Sequence, residues 1–180
     1  MDIEKSNKAY FGNHKLNIAI GIVGLLLFIV GTLLPGTYEQ KHYFLYGAIF
    51  LTISSFLEKN TFFTVLEIII VIDAVLSFLG LSVLAISIIT FIIIIITIIY
   101  FVVKGEFKEK YLIAGTIGLI FLGLGVGINH PVFYTIGGFF VALYSLFSVL
   151  KGYQIAYLFL ILNTIFTITS AIGAYQWLVR

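Results

Sequence analysis

Seven apolar runs of 15 to 24 residues follow one another along this chain, with only short polar stretches between them. An α-helix needs about 20 apolar residues to cross a hydrocarbon core about 30 Å thick. The composition, 61% hydrophobic and only 10% charged, is typical of membrane spans and not of a soluble domain. The sequence therefore predicts an all-α polytopic membrane protein with seven transmembrane helices, at 16–34, 42–57, 61–80, 82–103, 111–129, 131–150 and 154–177.

This composition leaves little room for catalysis. Nearly every residue falls within a predicted span, so no soluble catalytic domain is expected. The chain has no cysteine, which excludes thiolate nucleophiles and thiolate-bound metals. Neither a HExxH nor a G-x-S-x-G pattern occurs. We expect a protein that is not an enzyme and that has no cofactor and no metal site.

The distribution of the ten Lys and Arg residues predicts the orientation of the chain. In a seven-span topology only Lys41 and Arg180 lie on one side of the membrane. The others share the side of the N-terminus: Lys5, Lys8, Lys15, Lys59, Lys104, Lys108, Lys110 and Lys151. Because positively charged loops stay in the cytoplasm, the N-terminus is expected inside and the C-terminus outside. The small net charge then reflects topology and gives no reason to expect nucleic acid as a partner.

The spacing of glycines predicts an internal repeat that relates helices 1–3 to helices 5–7, with the alternative that glycine-rich membrane helices match by chance. Three glycines recur at one constant offset, Gly21, Gly24 and Gly31 matching Gly115, Gly118 and Gly125. Four further residues recur at a second, slightly shorter offset, Gly47, Phe50, Ser55 and Asp73 matching Gly137, Phe140, Ser145 and Asn163. Glycines let membrane helices approach closely, so the glycine-rich helices 1 and 5 are expected inside the bundles.

The fourth helix serves as a linker in this scheme. A three-helix unit followed directly by its copy would place the copy upside down, and one added span restores the parallel orientation. The run 82–103 is apolar all round and has no glycine, so it is expected to face lipid. The predicted organisation is a cytoplasmic N-terminal tail at 1–15, a first three-helix repeat at 16–80, the linker at 82–103 and a second repeat at 111–178, forming two parallel three-helix bundles.

The end of the chain adds a motif to this architecture. The segment "LNTIFTITSAIGAYQW" (162–177) carries an Asn early in the helix and closes with Gly173, Tyr175 and Trp177. With its 3+1+3 organisation the chain resembles the SWEET sugar transporters and the PnuC-type vitamin transporters, whose best-known substrate is nicotinamide riboside. The resemblance implies transport by rocking of two bundles around a site near the membrane midplane.

Two polar residues near the middle of predicted spans are the sharpest site candidates. Asp73 and its repeat mate Asn163 are expected face to face at the interface of the bundles, where they could hydrogen-bond a polar solute from both sides. The resemblance implies a substrate-lining role for such a pair, and Phe140, Tyr144 and Phe166 near mid-depth could stack on a ring. The alternative left open is that Asp73 and Asn163 only bridge helices.

Glu67 shares a span with Asp73, but six residues of helix place the two side chains about 120° apart. Since Glu67 is close to the predicted cytoplasmic boundary, a structural or gating ion pair with Lys59 or Lys151 is expected in preference to substrate binding. Its repeat mate at the second offset, Tyr157, would occupy a similar interfacial position.

The sequence thus predicts a transporter for a small polar solute, a vitamin precursor or nucleoside-like molecule or else a sugar, in a bacterial inner (plasma) membrane. Transport would be facilitated diffusion or proton-linked. The expected partners are the solute and the lipid bilayer, and an oligomer is allowed. The alternatives left open are a structural or accessory subunit of a membrane complex and an ion or proton channel.

Overall fold

The described part of the chain is entirely helical apart from short connections. A computed structural model describes residues 14–34, 38–128 and 130–179, with side chains for all of these except 108, 126–128, 176 and 177. The helices are α1 (His14–Thr32), α2 (Tyr38–Leu57), α3 (Thr61–Phe78), α4 (Val83–Val103), α5 (Leu112–Ile128), α6 (Pro131–Leu150) and α7 (Ile155–Leu178), and a short 3-10 helix (Glu106–Lys108) precedes α5. The all-α prediction is confirmed for these residues, whereas most of the predicted tail 1–15 lies outside them.

Five of the seven helices in the described chain are long and apolar enough to cross a membrane: α1, α3, α4, α6 and α7. The other two differ for separate reasons. Helix α5 is apolar but has only 17 residues, and α2 begins with a polar turn that includes Glu39 and Lys41. Several apolar helices therefore fit a membrane protein, while the count of seven spans stays a prediction.

Short connections join the helices, and specific residues end and begin them. The Asn60 side chain caps α3 by accepting a hydrogen bond from the Phe63 amide, at 3.2 Å. Just after α6, Gly152 adopts a left-handed conformation with φ 88°, which terminates the helix without a steric penalty. Lys59 takes the same kind of conformation after α2, with φ 59°. The turns before α3 and α7 are three and four residues long. Each of them contains one residue in the left-handed conformation.

Glycines bring α1 against α2, and α5 against α6, at corresponding positions. A Cβ atom added at Gly24 would lie 2.8 Å from the Gly47 carbonyl oxygen, and one added at Gly118 would lie 3.1 Å from the Gly137 carbonyl oxygen. Backbones this close leave no room for a side chain. Small residues allow such packing where the hydrophobic effect cannot drive association.

A second glycine in each pair of helices contacts an aromatic ring in the same way. A Cβ at Gly31 would meet the ring of Phe44 at 2.6 Å, and a Cβ at Gly125 would meet the ring of Tyr134 at 3.1 Å. All of these residues match at the two constant offsets of the sequence repeat. The recurring contacts support the repeat for its first two helices.

The most extensive packing lies within α1–α3 and within α5–α7. In each of these sets the middle helix packs on both of the others. The two sets meet where α1 contacts α7 and where α3 contacts α5. Helix α4 packs mainly on α5 and less on α3. The residues that line the interface between the two sets therefore come chiefly from α1, α3, α5 and α7.

Helix α4 differs from the prediction that it has no polar face. Thr90 and Thr97 are buried on one side of the helix, in a stripe that also contains Ile86, Ile94 and Phe101. A Cβ at Gly123 on α5 would lie 3.0 Å from Ile94 and 3.3 Å from Thr90. The absence of a side chain at Gly123 therefore lets this face of α4 pack closely on α5. The remaining face is largely exposed and apolar, as expected for contact with lipid. Because the two threonines are weakly polar and lie among isoleucines, the hydropathy of the run does not indicate a polar stripe.

Candidate functional site

A small cavity lies between the two sets of helices. The volume that the centre of a water molecule can occupy in this cavity is about 10 Å³. One ordered water molecule requires roughly this volume. Helices α3 and α7 supply most of its wall, and α1, α2 and α5 complete it. The lining residues are Phe28, Phe44, Leu66, Glu67, Ile70, Leu122, Leu162, Asn163 and Phe166.

Glu67 and Asn163 are the polar members of this wall. Both are buried, with 1% of Glu67 and 4% of Asn163 exposed. The Asn163 Nδ2 group donates a hydrogen bond to the Phe159 carbonyl oxygen at 2.8 Å. The Glu67 Oε2 atom is buried and has no hydrogen-bond partner in the described part of the chain. A buried carboxyl oxygen without a donor is costly, which makes it a candidate for contact with a ligand.

The polar pair is related by the same repeat, but at a third offset. Phe63 on α3 and Phe159 on α7 stack with ring centroids 3.9 Å apart and planes at 2°. Glu67 and Asn163 follow them by four residues each, one helical turn further along parallel helices. The cavity lining repeats this separation, because Leu66 matches Leu162 and Ile70 matches Phe166. Glu67 and Asn163 thus occupy equivalent places in the two halves.

Asp73 does not share this cavity, contrary to the prediction that it faces Asn163. It lies about 18 Å from the N-terminal end of α3, whereas Asn163 lies about 12 Å and Glu67 about 9 Å from the ends of their helices. The prediction applied to α3 and α7 the sequence offset that relates α2 to α6. The residues that occupy equivalent places in α3 and α7 have a larger offset, and the difference is more than one helical turn. Glu67 is at the matching depth.

Asp73 instead contacts the linker helix. It is 1% exposed, and Thr90 on α4 donates a hydrogen bond to its Oδ1 atom. Its Oδ2 atom has no hydrogen-bond partner in the described residues. This arrangement corresponds to the alternative reading of Asp73, in which the side chain bridges helices.

The predicted interfacial ion pair of Glu67 is also absent from the described structure. Glu67 is buried, and Lys151 bonds to Glu109 instead. That bond raises the pKa of Lys151 above its ordinary value, because the carboxylate stabilises the ammonium ion. Tyr157 is 55% exposed and borders an open depression beside Gln154, away from the cavity. Glu67 is buried because its side of α3 faces the residues of α1, α2, α5 and α7 that line the cavity.

Two of the three aromatic candidates, Tyr144 and Phe140, lie outside the cavity wall. Tyr144 is buried against Phe62, with ring centroids 4.0 Å apart, and against Phe63, at 5.4 Å. Phe140 is partly buried and packs edge-on against the ring of Phe139. Both residues thus contribute to packing in this conformation.

Three phenylalanines form one side of the cavity: Phe166, which the sequence had suggested, and Phe28 and Phe44, which it had not. Phe28 stacks on Phe44 with centroids 4.6 Å apart, and Phe166 stands edge-on to both, at 6.3 and 6.4 Å. A signal for Phe44 existed in the sequence, since its repeat mate is the aromatic Tyr134. Phe28 had no such signal, because its mate at the first offset is Leu122.

A second polar cluster ties the two sets together at the N-terminal ends of α1, α3 and α7. The His14 ring bonds to Glu58 at 2.7 Å through Nδ1 and to Gln154 through Nε2. Asn17 donates to the other Glu58 oxygen at 2.8 Å. No group of three or more His, Cys, Asp or Glu side chains placed to hold a metal ion occurs in the part of the chain with described side chains.

Comparison with known proteins gives no relative for this chain: no family model, curated protein or solved structure matches it.

Proposed function

We propose that this protein is a membrane transporter for a small polar solute, a vitamin precursor or a nucleoside-like molecule, and that the cavity between α3 and α7 is its binding site. The units α1–α3 and α5–α7 would be the two parallel three-helix bundles, joined by α4. Rocking of one bundle against the other would expose the cavity to each side of the membrane in turn.

The observation that carries the proposal is the position of Glu67 and Asn163. They are buried polar side chains at equivalent places in two repeated units, and they line a cavity whose other walls are apolar. Polar residues inside membrane spans are costly and usually functional. An apolar pocket with a few converging polar groups is the usual form of a small-molecule site. Glu67 therefore replaces Asp73 in the predicted pair.

The size of the cavity favours a carrier over a channel. Space for about one water molecule cannot hold a vitamin or a nucleoside, so the two units must separate before a solute binds. The stacked rings of Phe63 and Phe159 lie one turn from the polar pair and join the two units on that side. A site that is closed in one conformation and opened by separation of two units is what alternating access requires.

Solute uptake by proteoliposomes tests this proposal. Purified protein would be reconstituted and supplied with radiolabelled vitamins, nucleosides and sugars in turn. We expect uptake of one class, and at least a tenfold loss of that uptake in Asn163→Ala. Tyr157→Phe, at an exposed position outside the cavity, is the matched control and should transport normally. Absence of uptake for every class would favour a structural subunit, and current under an applied voltage would favour a channel.

A further inference from the structure

We propose that the cavity binds a small organic cation, held between the Glu67 carboxylate and the rings of Phe28, Phe44 and Phe166, and that this cation displaces a proton from Glu67. The inference rests on the proposed transport function and names the substrate class of that same site. It also makes transport an exchange of the cation for a proton.

The first support is the surface that the cavity offers. Phe28, Phe44 and Phe166 contact one another and all line the same small space as Glu67. The face of an aromatic ring is electron-rich and attracts a cation within about 6 Å of its centroid, more strongly when water is excluded. Several rings with one carboxylate form the usual site for an ammonium or a charged heterocycle. A neutral sugar would instead require several polar partners, and the wall supplies two.

The second support is the unbalanced charge. The elements packed around Glu67 contribute Phe28 from α1, Phe44 from α2 and Leu122 from α5, none of which titrates. Helix α7 contributes Leu162, Asn163 and Phe166, which do not titrate either. The other carboxyl group of α3, Asp73, is bonded to Thr90 away from the cavity. An ionised Glu67 has no cationic partner within the cavity wall, so the compensating charge has to come with the ligand.

The same reasoning defines the state of the empty cavity. A carboxylate without a counter-ion in an apolar, closed space is strongly unfavourable, so the closed and empty cavity holds Glu67 as the neutral acid. When the cation enters, the carboxyl O–H bond breaks, the carboxylate pairs with the cation, and the proton passes to water on the side to which the cavity is open. Charge is conserved in the site, because one positive charge leaves as another arrives.

Asn163 provides the second half of the recognition. Its Nδ2 group already donates to the Phe159 carbonyl oxygen, which fixes the amide plane. The amide lines the cavity opposite Glu67 and can bind a hydroxyl or carbonyl group of the solute. The preferred ligand is therefore a cation with one polar substituent a few bonds from its charge.

Paired charged and neutral probes test the inference. Binding of choline to the purified protein would be compared with that of 3,3-dimethylbutan-1-ol, which has the same shape and no charge. The charged probe should bind at least tenfold more tightly. Wherever unliganded Glu67 is protonated, the affinity of the charged probe should fall about tenfold for each unit by which the pH is lowered, because protons compete for Glu67. Addition of choline to weakly buffered protein should release protons.

Variants separate the role of Glu67 from effects on folding. Glu67→Gln should bind the two probes equally and without dependence on pH, while Glu67→Asp should keep the preference for charge. Asp73→Asn, in the same helix but outside the cavity, should behave like the unmodified protein. Equal binding of the two probes by the unmodified protein, or a charge preference that survives in Glu67→Gln, would overturn the inference.

Failure of this inference is distinguishable from failure of the transport proposal. Uptake of a neutral solute that depends on Asn163 but is unchanged in Glu67→Gln would support the transport function and contradict the cationic substrate class. Binding of choline through Glu67, with no uptake of any solute by proteoliposomes, would contradict the transport function and support a cation-binding site.

Discussion

Glu67 on α3 and Asn163 on α7 line one cavity, each a single turn beyond its member of the stacked pair Phe63 and Phe159. The separation in sequence is the same for both pairs. The ring stack thus fixes the register in which the polar side chains meet, and a change in the stack should be felt at the site.

The Phe63–Phe159 stack should stabilise the interface between the two units by more than its buried area. Both rings are fully buried, so Phe63→Ala and Phe159→Ala should each lower the free energy of unfolding by about 3–5 kcal/mol. A double-mutant cycle should give a coupling of about 0.5–1.5 kcal/mol. Denaturation in detergent measures both quantities, and Phe139→Ala, at an exposed ring, is the control. A coupling near zero would show that the rings do not interact.

Close packing at the repeated glycines should make them intolerant of a methyl group. Gly24→Ala and Gly118→Ala each place a Cβ within 2.8 Å of backbone atoms of the next helix. We expect each variant to lose about 1–3 kcal/mol of stability, since the helices must move apart. Gly173→Ala is the matched control, because its Cβ would meet only Pro131 at an ordinary 3.8 Å. Thermal unfolding of the three variants provides the comparison, and equal midpoints would contradict it.

Thr90 should stabilise the position of α4 through Asp73. Thr90→Val keeps the shape of the side chain and removes the donor to Oδ1, so it should cost about 1–3 kcal/mol. Since Asp73 lies outside the cavity, transport per folded molecule should not change. Thr164→Val, at an exposed threonine of α7, should be neutral. A loss of transport in Thr90→Val without a loss of stability would return Asp73 to the binding site.

The orientation predicted from the lysines can be tested in a chain that lacks cysteine. Single substitutions Lys41→Cys and Lys59→Cys introduce unique thiols at exposed positions next to opposite ends of α2. A membrane-impermeant maleimide added to intact cells should label the first and not the second, and both should react after lysis. The reverse pattern would invert the topology, and labelling of both in intact cells would show that α2 does not span.

The sequence alone determined the helices. A helix that crosses a membrane needs a run of about 20 apolar residues, and the runs predicted on this basis agree with the observed helices to within a few residues. The glycines that recur in helices 1 and 5 also make matching contacts, because a residue without a side chain lets the next helix approach closely. These signals are local, and each is carried by residues near one another in the chain.

Only the tertiary structure decided which carboxyl faces the cavity. Glu67 and Asp73 are both carboxylic acids on the same helix, but Glu67 faces the cavity lined by α1, α2, α5 and α7, whereas Asp73 faces Thr90 on α4. The register between α3 and α7 depends on the turn lengths before them and on the fit of Phe63 against Phe159. The two carboxyl groups are six residues apart, which separates them by about 9 Å along the helix axis. A repeat offset taken from neighbouring helices could therefore not settle which of them faces the cavity.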